Sequence, residues 1–193
     1  MRNVRVRVLR LTVTAFCIAL NIVGSYLALL LRLPIYLDSI GTILAGALMG
    51  PWYGLAAAVG NGLISGVLTD VYSLYFLPVG AVTGLMAGLL FRKGILKGWK
   101  VIPGSLALTV PGTALSASIS AFLFGGITSS GSSLLVQLFH HLGLNLVASA
   151  FAVQIVTDYA DRLISVLLVL VLTACLSVNL KMRLKGVSRN GKI

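Results

Sequence analysis

Charge in this chain is confined to a few short segments, and the long stretches between them carry almost none. Thirteen of its fifteen Lys and Arg fall in three groups: Arg2, Arg5, Arg7 and Arg10; Arg92, Lys93, Lys97 and Lys100; and Lys181, Arg183, Lys185, Arg189 and Lys192. The four acids, Asp38, Asp70, Asp158 and Asp161, lie elsewhere, and there is no Glu. With 58% hydrophobic residues and a mean hydropathy of +1.03, polar side chains are too few to cover a water-soluble globule. Uncharged runs punctuated by basic groups are the pattern of membrane helices whose Lys/Arg-rich ends stay cytoplasmic. The chain reads as an all-α integral membrane protein.

The net charge of +11 would otherwise suit nucleic acid. Here the basic residues flank apolar spans and no aromatics interleave with them on a soluble face, so membrane lipid is their expected partner and nucleic acid is not. Cys17 and Cys175 lie in apolar runs without His or Cys at ligand spacing, and read as small buried hydrophobes with no disulfide or metal site. The basic start resembles a signal peptide, but the run 11–31 is long enough to span, and no good small-x-small cleavage site is followed by a soluble domain. It reads as the first transmembrane helix.

A span needs about 20 apolar residues. Segments near 9–31, 37–50, 51–68, 75–91, 102–125 and 162–180 meet or approach this, the second being short. They make a six-transmembrane-helix bundle with N and C termini cytoplasmic, multi-pass in the cell membrane, and a single domain over 1–193. Gly50-Pro51 reads as the tight turn between the second and third spans. The even number of crossings puts the three basic groups on one face and leaves Arg32, Arg162 and all four Asp on the other. The segment 126–161 opens with a Ser/Gly-rich stretch that reads as a flexible loop, then carries Gln137, His140, His141, Asn145 and Gln154. These are too many polar groups for a lipid-facing span, so the segment is expected to fold against the outer end of the bundle or to enter it as broken helix.

Small residues recur at four-residue spacing: Ala15 and Ala19; Gly46, Gly50 and Gly54; Gly62 and Gly66; Gly80, Gly84 and Gly88. Such faces let helix backbones approach closely in lipid. They serve packing within the bundle, docking of another membrane protein, or both. A second concentration lies at the expected outer face. Tyr36, Asp38 and Ser39, then Asp70, Tyr72, Ser73 and Tyr75, then His140, His141, Asn145, Asp158 and Tyr159 bring aromatic and hydrogen-bonding groups to an otherwise apolar chain. That is the composition of an organic ligand site, an interfacial aromatic belt with solvated Asp being the competing reading. The candidate substrate-binding residues are Tyr36, Asp38, Asp70, Tyr72, Tyr75, His140, His141 and Asn145. Asp158 and Asp161 are expected to matter less, because they can pair with Arg162 or stay in water at a helix start. Asn61, in the middle of the third span, needs a buried partner.

Catalysis is not supported. Adjacent His140 and His141 on a helix point about 100° apart, which prevents joint chelation of one ion. The spans place no acid at the bilayer midplane for ion coupling, and there is no phosphate-binding Walker motif. Any ATP-driven step therefore belongs to partners, and no cofactor is expected in this chain.

The basic start, Ala15-x-x-x-Ala19, the stretch Tyr36-Leu37-Asp38-Ser39-Ile40-Gly41-Thr42 followed by Ala45-Gly46-Ala47-Leu48-Met49-Gly50-Pro51-Trp52-Tyr53-Gly54, and Asp161-Arg162-Leu163-Ile164-Ser165-Val166 together resemble the S-components of energy-coupling factor (ECF) transporters, over nearly the whole length. The resemblance implies a substrate-capturing membrane subunit of an ABC-type importer for a vitamin or similar micronutrient. Such a subunit binds substrate near the outer face and associates with a transmembrane T-component and two ATP-binding subunits. It also implies that Ala15 and Ala19 belong to the docking face. Cobalamin is the substrate favoured, with riboflavin, pantothenate and pyridoxine open. A membrane assembly protein without a small-molecule ligand is the reading from another class.

Cysteines introduced as Lys97→Cys and Asn190→Cys are expected to resist a membrane-impermeant thiol reagent in intact cells and to react after permeabilisation. Labelling of either from outside would show that the basic groups do not share the inner face.

Overall fold

The structure, a computed structural model, describes residues 2–185, without the side chains of Arg2 and Asn3. Residue 1, Arg189, Asn190 and Lys192, on which the topology argument also draws, lie outside the described residues. Helices dominate, and there is no strand among the described residues. In order they are α1 (Arg2–Leu30), α2 (Ile40–Met49), α3 (Pro51–Leu68), the single turn α4 (Tyr72–Tyr75), α5 (Leu77–Arg92), α6 (Val101–Phe124), α7 (Ser133–His141), α8 (Leu146–Cys175) and α9 (Val178–Lys185).

Helices α1, α2, α3, α5 and α6 fall where the first five spans were expected. By length and hydropathy alone, Val4–Leu30 and Gly98–Phe124 are able to cross a membrane, and a third span exists if α8 and α9, bent by 113°, count as one. The 10 residues of α2 rise only about 15 Å, half the thickness of a hydrocarbon core. The remainder of that path is irregular backbone over 33–39.

The last span departs most from expectation. Its helix begins at Leu146, not near 162, and absorbs half of the segment anticipated as a polar outer region. Asp158, Asp161 and Arg162 interrupt the hydropathy run, but their i, i+3, i+4 spacing puts them on one face of a continuous helix. Asp158 and Asp161 are 9% and 1% exposed. Of the two surroundings expected for these acids, pairing with Arg162 or water, Asp161 takes the first, and both acids lie within the helix and not at its start. Helix α7, with nine residues, rises about 14 Å and is too short to add a crossing.

Glycine sets the packing. A Cβ on Gly54 would collide with the Gly84 carbonyl oxygen, and one on Gly84 with that of Gly54, so α3 and α5 touch backbone to backbone. Gly88 lies equally close on Pro51 and Gly50, and a Cβ on Gly46 would stand 2.9 Å from the Gly88 nitrogen. These small faces are used inside the bundle. Ala15 and Ala19 instead remain exposed beside Phe16, while Thr14, Cys17 and Asn21 form the buried face of α1. Cys17 is buried as expected, but Cys175 is exposed.

Basic residues meet at one end of the bundle. Arg10 Nε donates to the Leu184 carbonyl at 2.9 Å, its guanidinium lies 5.7 Å from the centre of the Tyr53 ring, and Arg92 abuts Gly50.

Gly54→Ala forces a methyl onto the α5 backbone and is expected to cost about 1–3 kcal/mol, read as a lowered melting temperature of the purified protein. Gly60→Ala, whose methyl meets only the tip of Ile18, is expected to melt like the parent.

Candidate cavity at the end opposite the basic residues

The non-helical backbone between α1 and α2 cannot satisfy its own polar groups, and at membrane depth water is not there to do so. One carboxylate supplies the partners. Leu37, held at φ 52, donates its N–H to Asp161 Oδ1 at 2.9 Å. The Ser39 hydroxyl donates to Asp161 Oδ2 at 3.3 Å and lies 3.2 Å from Ser165 Oγ. Arg162 pairs with the same carboxylate and stands 3.7 Å from Asp38. From the other side Asn21 caps α2, whose own N-cap residue Ser39 makes no side-chain cap bond. Asn21 Oδ1 accepts the Gly41 N–H at 2.7 Å, and its Nδ2 donates to Thr42 Oγ1 at 2.9 Å. A Cβ on Gly24 would collide with the Leu37 carbonyl oxygen, so only glycine lets α1 lie against this segment.

The pinned segment forms one wall of a cavity of about 950 Å³, its open mouth included. It contributes Tyr36, Asp38 and Ser39; α1 contributes Ser25 and Leu29, and α3 Ala58, Asn61 and Gly62. Asp70, Tyr72 and Phe76 come from the turn around α4, Val79, Gly80 and Thr83 from α5, Ser116 from α6, and Asp158 and Arg162 from α8. Arg10 and Leu29 are about 28 Å apart along α1 at 1.5 Å per residue, so the cavity and the basic end lie at opposite ends of the bundle.

Its polar groups are held by neighbours. Thr113 donates its hydroxyl to Asp158 Oδ2 at 2.7 Å. Asp70 accepts from the Ser129 hydroxyl at 2.6 Å and from the Tyr72 N–H at 3.2 Å. Asn61, 6% exposed, accepts from Ser65 at 3.2 Å, and no protein acceptor meets its Nδ2 among the described residues. The Tyr36 hydroxyl lies 3.4 Å from Thr128 Oγ1. The Ser/Gly loop anticipated as flexible is cross-linked: Ser133 Oγ accepts the Thr128 N–H at 2.9 Å, and Ser129 ties the loop to Asp70.

Of the residues predicted from sequence, Tyr36, Asp38, Asp70 and Tyr72 come together on the cavity wall. Tyr75 does not reach it; half exposed, it sets its ring edge-on to Phe124, 5.1 Å between centroids. His140 and His141 are exposed on α7, with His140 Nδ1 2.9 Å from the Leu144 carbonyl oxygen. Asn145 caps α8 by accepting the Ala148 N–H at 2.7 Å. These three shape the α7–α8 corner, and none lines the cavity. Sequence reasoning passed over Thr83, Ser116, Ser129 and Phe76 as lining residues, and Asp158, set apart there from the candidate residues, also lies on the wall. The i, i+4 pair Asp158 and Arg162 inside an apolar run was the signal that could have found the α8 wall.

A helical membrane bundle with a recessed, partly polar cavity at one end defines a solute-binding membrane protein. The family described as "ECF transporter, substrate-specific component" matches residues 9–173, and the chain belongs to it. No curated protein and no solved structure matches the chain. Membership makes this a substrate-binding subunit of an ECF importer that works with the T-component and ATPase module, and a transport subunit in place of an enzyme.

Asp161→Asn removes the partner that Arg162, 11% exposed, holds inside the protein. Breaking such a buried pair is expected to cost about 3–5 kcal/mol and to lower the melting temperature by more than Tyr75→Ala does. Equal melting temperatures would show that the 33–39 segment is held by something else.

Proposed function

We propose that this chain is the high-affinity substrate-capturing subunit of an ECF-type ABC importer for a vitamin-sized micronutrient. In this reading it crosses the cell membrane six times with both ends cytoplasmic, and the cavity opens at the outer face. The cavity carries the reading. It is recessed among the helices, and a few placed polar groups interrupt an apolar lining, as in sites for small organic molecules. Its position opposite the basic residues puts it outside under the positive-inside rule. Cobalamin, favoured from sequence, loses the support of histidine because both rings lie outside the cavity. A purely assembling protein would have no use for the cavity, and its glycine faces are already engaged within the bundle.

The exposed Ala15 and Ala19 face of α1 is the surface we assign to docking on the T-component, because small residues there admit close backbone approach. ATP is used by the two ATP-binding partners, so the chain itself needs no cofactor.

Calorimetric titration of the purified chain with water-soluble vitamins, cobalamin included, tests this reading, and one of them is expected to bind. Asn61→Ala and Thr83→Val are expected to weaken that binding by about 1–3 kcal/mol, whereas His140→Ala and His141→Ala leave it unchanged. Ala19→Trp is expected to keep binding in the isolated chain and to lower uptake by the assembled transporter. Absence of binding to every vitamin would sink the capture reading, and loss of binding in Ala19→Trp would assign that face to internal packing.

A further inference from the structure

The charges on the cavity wall do not balance. Three carboxylates line it, Asp38, Asp70 and Asp158, against the single guanidinium of Arg162. That guanidinium is already engaged, paired with Asp161 and standing 3.7 Å from Asp38. Both oxygens of Asp70 accept hydrogen bonds. Asp158 differs from the others. It is 9% exposed, its Oδ2 accepts from Thr113, and no hydrogen bond reaches its Oδ1 among the described residues. No Lys, Arg or His stands within ion-pair distance of it there either. A carboxylate so enclosed is costly unless a counter-charge meets it.

The surroundings say what kind of counter-charge fits. No group of three His, Cys, Asp or Glu among the described residues converges on a metal ion, so the carboxylates do not form a cage for a bare metal. Tyr36, Tyr72 and Phe76 line the same space, and aromatic rings attract an organic cation through their faces. Apolar Leu77 and Val79 complete the wall.

Resting on the capture reading above, we infer that the substrate is an organic cation, its positive group seated at Asp158 Oδ1 and its body against the Phe76 side of the cavity. An anion would meet an excess of negative charge, and a neutral molecule would leave Asp158 with no counter-charge beyond Arg162, which Asp161 and Asp38 already share. Both are selected against by the same wall that holds the cation.

The test is titration of the full-length chain in detergent with organic cations (thiamine, pyridoxamine, choline), neutral compounds (riboflavin, pyridoxine) and anions (pantothenate, biotin). A cation is expected to bind, with neutral compounds and anions binding weakly or not at all. Asp158→Asn keeps an acceptor for Thr113 and removes the charge. It is expected to weaken the cation by about tenfold or more while melting like the parent. The selectivity of the unaltered chain answers the question even if that variant does not fold. Preference for a neutral compound or an anion, or unchanged affinity in a folded Asp158→Asn protein, overturns the inference and leaves the capture reading standing. Failure of every compound to bind overturns both.

Discussion

The Asp161 carboxylate is the point on which the cavity depends. Helix α2 is too short to cross the bundle, so the chain covers the remaining distance as irregular backbone, whose N–H groups need partners where water is scarce. Asp161 accepts from Leu37 and Ser39 and pairs with Arg162, which in turn stands near Asp38. A single buried acid thus binds the Leu37 N–H and the Ser39 hydroxyl, neutralises a buried cation and ties the segment before α2 to α8. Burying such a pair is not by itself a source of stability, because desolvation offsets much of the attraction. What it supplies is position. Tyr36 and Asp38 face the cavity because the backbone on either side of Leu37 is held.

Two kinds of contact divide the bundle. Toward the basic end, Gly46, Gly54, Gly84 and Gly88 bring α2, α3 and α5 into backbone contact, which leaves no space between them. Toward the other end the helices surround the cavity, and hydroxyl and amide groups line it: Thr42, Asn61, Thr83 and Ser116. The loop 126–133 lies near that opening, tied to Asp70 and Tyr36 by Ser129 and Thr128. A close-packed half and an opened half suit a subunit that binds a solute at one end and presents one helix face to partners.

Histidine stands off the cavity, while aspartate lines it. Adjacent His140 and His141 stand out in an apolar chain, but they sit on a nine-residue helix that folds back outside the cavity. Nothing in their spacing distinguished a wall residue from a corner residue. The last span was expected to begin near 162 because a hydropathy window treats three charges as the end of a span, whereas the helix begins at Leu146. In the folded chain each charge has a defined surrounding: Thr113 for Asp158, two loop donors for Asp161, and Asp161 with Asp38 for Arg162. Hydropathy averages over all faces of a helix, whereas burial depends on one.

The amino-acid sequence alone determined the helical membrane class, the approximate places of six helices, the segregation of basic residues from acids, and membership in the ECF substrate-binding family. These follow from composition and local pattern, since an apolar run of sufficient length and a Lys/Arg-rich boundary act residue by residue along the chain. Only the tertiary structure decided that α8 begins at Leu146, that Asp158 and Arg162 meet Tyr36, Asn61 and Thr83 around one space, and that Ala15 and Ala19 face outward while the glycines face in. Those facts depend on contacts between residues far apart in sequence, such as Leu37 with Asp161 and Gly54 with Gly84, and no local pattern contains them.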